Sequence, residues 1–131
     1  MASAIYPITK KAFLDADCDL LTVVVKAVLI DAGTYTYNAA HNFYDDLSGV
    51  VGTESAALDG KTTTGGVFDA NNITFSAVTG ATVEAIVLFE DSGDAATDRL
   101  IAYIDTGTGL PVTPNGGDIT ISWNNSGIFA I

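Results

Sequence analysis

The run Leu21 to Ile30, LTVVVKAVLI, constrains this chain more than any other stretch. Strand side chains alternate between two faces, and both faces of this run are apolar apart from Lys26. Such a segment is expected as a central strand covered on both sides, so the chain must supply material for a layer above and a layer below it.

Other segments supply that material as strands. Asn72 to Val78, NITFSAV, puts Ile73, Phe75 and Ala77 on one face and Thr74 and Ser76 on the other. Thr82 to Glu90 sets Val83, Ala85, Val87 and Phe89 together, and Arg99 to Asp105 does the same for Leu100, Ala102 and Ile104. The polar DSGDAATD between them reads as a long hairpin loop. DITISW, Asp118 to Trp123, points Ile119, Ile121 and Trp123 inward after an NGG turn, where Asn and Gly accept positive φ. Helices are expected at Pro7 to Asp15, where proline suits a first turn, and at Asn38 to Leu47, where Ala39, Phe43 and Leu47 make one stripe. Short strands without a βαβ rhythm predict an all-β chain: a single β-sandwich over residues 1–131, jelly-roll-like or barrel-like, with one or two short helices.

Charge narrows the partners. Sixteen acidic against five basic residues give a formal net charge of −11, which repels nucleic-acid phosphates and anionic membranes. Charged residues make up 16%, below the roughly 25% of an average domain, so a protein-contacting surface is expected. One cysteine, Cys18, allows no intrachain disulfide and no thiolate metal cluster. The opening MASAIYPITKKAFLDADCDLL lacks a signal peptide's order of segments, and no run approaches the roughly 18 apolar residues of a membrane span, so a soluble protein is expected.

Candidate chemistry is sparse. IAYIDTGTGLPV, Ile101 to Val112, delivers Asp-Thr-Gly behind an apolar strand, as aspartic proteases deliver a catalytic carboxylate. Only 26 residues follow Asp105, too few for a flap hairpin and a second apolar-Gly element, so Thr106 to Gly109 are expected to form a tight turn. Asp15, Asp17 and Asp19 alternate like calcium ligands, yet the sixth position of such a loop is Leu20 and the twelfth is Lys26, where glycine and glutamate are needed. His41 stands without further His or Cys ligands, and acidic neighbours disfavour a Cys18 thiolate. Glu84 and Glu90 would stand about 20 Å apart along one strand, too far for a glycosidase pair. No catalytic, metal or cofactor-binding residues are assigned.

Four stretches, AIYPITKKAFLDADCDL, VKAVLIDAGTYTYNAAHNFYDDL, GVFDANNITFSAVTG and LIAYIDTGTGLPVTPNGGDITISWNNSGIF, resemble small virion proteins of tailed bacteriophages. The resemblance implies a capsid decoration or cement protein that binds the major capsid protein lattice on the virion surface, is assembled in the host cytoplasm and forms homo-oligomers, without cofactor, nucleic acid or membrane. A tail or baseplate component with receptor or carbohydrate binding is the alternative, favoured if Tyr35, Tyr37 and Tyr44 form an exposed aromatic cluster. The contact candidates are the apolar chain ends: Ile5, Tyr6 and Pro7 in an N-terminal arm of residues 1–7, and Ile128, Phe129 and Ile131 at the other end. Deleting residues 1–7 is expected to weaken attachment more than folding.

Overall fold

The structure, a computed structural model, describes residues 4–105, 109–123 and 126–130. It is an all-β chain of antiparallel strands with one short α-helix. The main sheet has five strands: β1 (Ala4–Ile5), β2 (Val25–Ile30), β3 (Val50–Val51), β6 (Ala85–Glu90) and β7 (Leu100–Ile104). Their order is β1-β7-β6-β2-β3. Two two-stranded ladders complete the strands: β4 (Val67–Phe68) with β9 (Phe129–Ala130), and β5 (Ile73–Phe75) with β8 (Ile119–Ile121).

Of the strand expected over Leu21 to Ile30, only Val25–Ile30 forms, as β2, which pairs with β6 on one side and β3 on the other; the chain before it turns, leaving Leu21 and Val24 exposed. On one face of the sheet, Ala27, Leu29, Ile86 and Leu88 pack with Phe75 and Ile121 of the ladders. On the other, Val28, Val87 and Phe89 pack with Tyr6, Tyr35 and Tyr103. A five-stranded sheet with two small ladders on one face and tyrosine-rich segments on the other meets the requirement that both faces be dry.

The β6–β7 hairpin forms as its pattern predicts, and Asp98 closes its loop by accepting the Ser92 N–H at 2.6 Å. One face assignment fails within it. Phe89 pairs with Leu100 and Leu88 with Ala102, so Ile101 is an extra residue that bulges from the ladder. The bulge reverses the alternation: Leu100 joins the tyrosine face, while Ala102 and Ile104 face the ladders. Val83 also parts from Ala85, Val87 and Phe89, because it lies before β6 and bridges Val112.

Strand β8 and Trp123 follow their pattern, with Ile119, Ile121 and Trp123 buried and the indole Nε1 donating to the Asn71 carbonyl at 3.1 Å. Strand β5 ends early. Ala77 turns outward at φ 48°, and Asp118 Oδ1 holds its N–H at 3.0 Å, so Val78 takes the buried place instead.

Helix α1 (Pro7–Leu14) matches expectation. Eight residues do not hold a helix alone; packing against β7 does, with the buried Thr9 hydroxyl donating to the Leu100 carbonyl at 2.6 Å. The helix expected over Asn38 to Leu47 reduces to one 3-10 turn, Tyr44–Asp46. Its backbone is needed elsewhere: Leu100 donates to the Asn42 carbonyl, Tyr44 donates to the Asp98 carbonyl, and Phe43 bridges Arg99. The Asp46 carboxylate accepts the Asn42 and Phe43 N–H groups, the local bonding by which Asp competes with a helix.

Candidate contact surface

The two ends of the described chain meet on the surface of the fold. Strand β1 lies at the edge of the main sheet, with β7 on its one paired side. Tyr6 donates its N–H to the Ile101 carbonyl at 2.9 Å, so the ladder bonds run through Ala4 and Tyr6 and the Ile5 peptide groups face away from β7.

Strand β9 reaches the same place because the chain approaches β4 closely at Gly127. There φ is +104°, and a Cβ would overlap Val67 Cγ1, so only glycine fits. The Ile128 N–H then bonds the Phe68 carbonyl at 2.7 Å, and the Phe129 ring packs on Phe68 with centroids 5.3 Å apart.

The helix supplies the third wall. Its C-terminal end is a Schellman motif: Ala16 N–H bonds the Phe13 carbonyl and Asp17 N–H bonds the Ala12 carbonyl, with Ala16 at φ 60° in the place usually held by glycine. The reversal carries the chain from Leu14 to Cys18, Asp19 and Leu20, which stand on the far side of Phe13.

Between these elements runs an apolar trough of two recesses that share Phe13 and Phe129. The wider, about 600 Å³, is lined by Ile5, Lys10, Leu14, Tyr37 and Ile104. The narrower, about 220 Å³, is lined by Cys18, Asp19, Leu20, Thr63 and Phe68. Leu14 is 89% exposed, far more than any other large apolar side chain among the described residues.

The six contact candidates divide. Ile5 and Phe129 line the trough, and Pro7 is exposed at the helix start. Tyr6 and Ile128 are corrections: both are buried within the chain itself, Tyr6 at 0% exposure under α1, and their side chains act as core. Ile131 lies outside the described residues, as do residues 1–3 of the expected arm. From Ala4 onward that arm is an edge strand and a buried tyrosine, because β7 offers it a ladder and the tyrosine face offers it a hole. Reasoning from local pattern missed the helix contribution, Lys10, Phe13 and Leu14; its signal was an apolar pair at the end of a short helix followed by an acidic turn.

The residues considered for chemistry are occupied structurally. Asp105 follows β7 half-buried, and Thr106, Gly107 and Thr108 of the expected turn lie outside the described residues. Asp15 pairs with Lys11, Glu84 accepts the Ala32 N–H at 2.9 Å, and Glu90 holds Arg99 at 3.2 Å. The Tyr35 hydroxyl lies 2.9 Å from His41 Nδ1. Burial, with Glu90 nearby, pushes the Cys18 thiol up and keeps it protonated. Among the described residues no group of three His, Cys, Asp or Glu could hold a metal ion, and no buried side-chain polar atom lacks a partner. No helix among them is long and apolar enough to cross a membrane.

The tyrosines do not form an exposed platform. Tyr35 is 2% exposed, and the part-buried Tyr37 and Tyr44 rest on other rings, Tyr37 tilted against Tyr6 at 4.9 Å and Tyr44 edge-on to Phe89 at 4.8 Å. They are the cover of the second sheet face. The chain matches no protein-family model and no curated protein.

Proposed function

We propose that this protein is a structural component of a bacteriophage virion, a decoration or cement protein that binds the major capsid protein lattice and stabilises the head. The observation that carries the reading is the trough: an open, mainly apolar surface whose lining includes one cation and one carboxylate, on a chain with 16% charged residues. Surfaces of that kind serve protein contact, with an apolar centre and a polar rim. The resemblance of four stretches of the chain to small virion proteins gives the contact its setting, and a lattice multiplies weak contacts into strong attachment.

The acidic balance supports the same reading, since a net charge of −11 disfavours the packaged nucleic acid as a ligand. With Tyr35 buried and Tyr44 set edge-on against Phe89, Tyr35, Tyr37 and Tyr44 give no shared exposed face to favour a carbohydrate-binding tail role.

An image reconstruction of the particle tests the proposal. Density for this chain on the outer shell, in contact with the coat lattice, is the expected result. Density confined to the tail or baseplate, or a head of unchanged heat resistance when the protein is omitted, overturns it.

A further inference from the structure

The trough has a polarity. Lys10 lines its wider recess and Asp19 its narrower one, and Phe13 and Phe129 are shared by both. Lys10 is, among the described residues, the one cationic side chain that no group engages. Lys11 pairs with Asp15, Lys26 with Glu54 and Asp91, and Arg99 with Glu90, while Lys61 donates to the Val23 carbonyl. Asp19 accepts the Leu21 N–H through Oδ1 and meets no cation among the described residues.

A surface with an apolar centre, a cation in one recess and a carboxylate in the other is complementary to itself. A two-fold axis through the centre turns it end over end and sets each Lys10 against the other copy's Asp19, closing two ion pairs around one apolar core. That is the geometry of an isologous interface, in which the same patch serves both subunits. We propose that a second copy of this chain occupies the trough, forming a two-fold homodimer that covers Leu14, Phe13 and Phe129 and pairs Lys10 with Asp19 twice.

The alternatives fit the charges less well. An apolar peptide of a different protein leaves one of the two charges without a counterpart unless it carries both signs at matching spacing, whereas a second copy supplies both by symmetry. Apolar contact carries the affinity, because exposed ion pairs contribute little and chiefly set orientation. The proposal rests on the reading of the trough as a protein contact, and it does not depend on the position of the protein on a particle.

Sedimentation equilibrium on the full chain tests it, with circular dichroism confirming that each variant is folded. Wild-type protein is expected to associate reversibly to a dimer, and Leu14→Asp, at a position with few contacts of its own, to be monomeric. Lys10→Glu and Asp19→Lys are each expected to weaken self-association on the order of tenfold. Mixed together, the two charge variants are expected to recover a heterodimer. Its substituted positions 10 and 19 face each other with exchanged signs, while the unaltered Asp19 of one copy faces the unaltered Lys10 of the other. A monomeric wild type overturns the proposal, as does a dimer indifferent to Leu14→Asp, or a charge-exchanged mixture that associates no better than its components. A dimer in solution combined with no place on the head leaves this interface standing and removes the capsid reading; a monomer that nonetheless decorates heads does the reverse.

Discussion

The hydroxyls of Tyr6 and Tyr35 lie 2.7 Å apart in the interior, joining the residue before helix α1 to the loop after β2 across the second face of the main sheet. Tyr35 passes the chain on to His41 Nδ1 at 2.9 Å. Tyrosine serves there because its ring fills the apolar layer while its hydroxyl finds a partner.

Tyr35→Phe leaves the Tyr6 hydroxyl buried without that partner. The expected loss is about 1–3 kcal/mol, the penalty for an unsatisfied buried polar group. Urea unfolding followed by tyrosine and tryptophan fluorescence measures it, and a change within error of wild type contradicts the assigned role.

All five tyrosines make the fold sensitive to alkali. Burial raises the ionisation of Tyr6 far above the ordinary phenol range, and burial likewise raises Tyr35, Tyr37, Tyr44 and Tyr103. The unfolded phenols release protons near about pH 10, so above that pH the folded state binds more protons than the unfolded state. Stability is therefore complete below about pH 10 and falls above it, by up to about 1.4 kcal/mol per pH unit for the fully buried Tyr6 alone. Lys26, held up to about 12 by Asp91 and Glu54, adds in the same direction. Tyrosinate absorbance and β-sheet circular dichroism are expected to change together in one steep transition. Gradual ionisation with the sheet intact contradicts this.

Ala16→Gly is expected to stabilise the protein. Alanine at φ 60° carries the left-handed penalty that glycine avoids, and glycine's greater freedom in the unfolded chain returns part of the gain. A net increase of roughly 0.5–1 kcal/mol in unfolding free energy is expected, and a decrease refutes the capping assignment.

Gly127→Ala has the opposite sign. A methyl group overlapping Val67 Cγ1, on a backbone at φ +104°, forces β9 away from β4. A loss of about 2–3 kcal/mol in urea unfolding is expected, together with weaker self-association, since Phe129 moves with the strand. Unchanged stability and association show that β9 does not depend on this close approach.

Deletion of residues 1–7 is expected to damage folding directly, contrary to what an N-terminal arm suggests. It removes β1, the Tyr6 N–H bond to Ile101 and a large buried ring, whose loss alone costs about 3–5 kcal/mol. Thermal unfolding of the truncated chain measures this; an unchanged midpoint shows that Tyr6 is dispensable.

What was legible along the chain was whatever depends on neighbours a few residues away. Of the apolar run Leu21 to Ile30, the part from Val25 onward is a strand covered on both faces. Proline opens α1, and Ile119, Ile121 and Trp123 alternate inward. What was not legible depended on partners far along the chain. Asn42 and Phe43 gave up a helix to pair with residues at the start of β7.

The candidate surface belongs wholly to the second kind. Ile5 and Phe129 were visible as apolar chain ends, but nothing local placed them beside Phe13, or set Lys10 and Asp19 in adjoining recesses.

By itself, then, the sequence determined the layered, strand-rich character of the protein, because alternation and turn chemistry act over short distances and survive any tertiary arrangement. Tertiary structure alone decided the bulge at Ile101, the burial of Tyr6 and the polarity of the trough, because each arises where segments far apart along the chain compete for the same hydrogen bonds and apolar space.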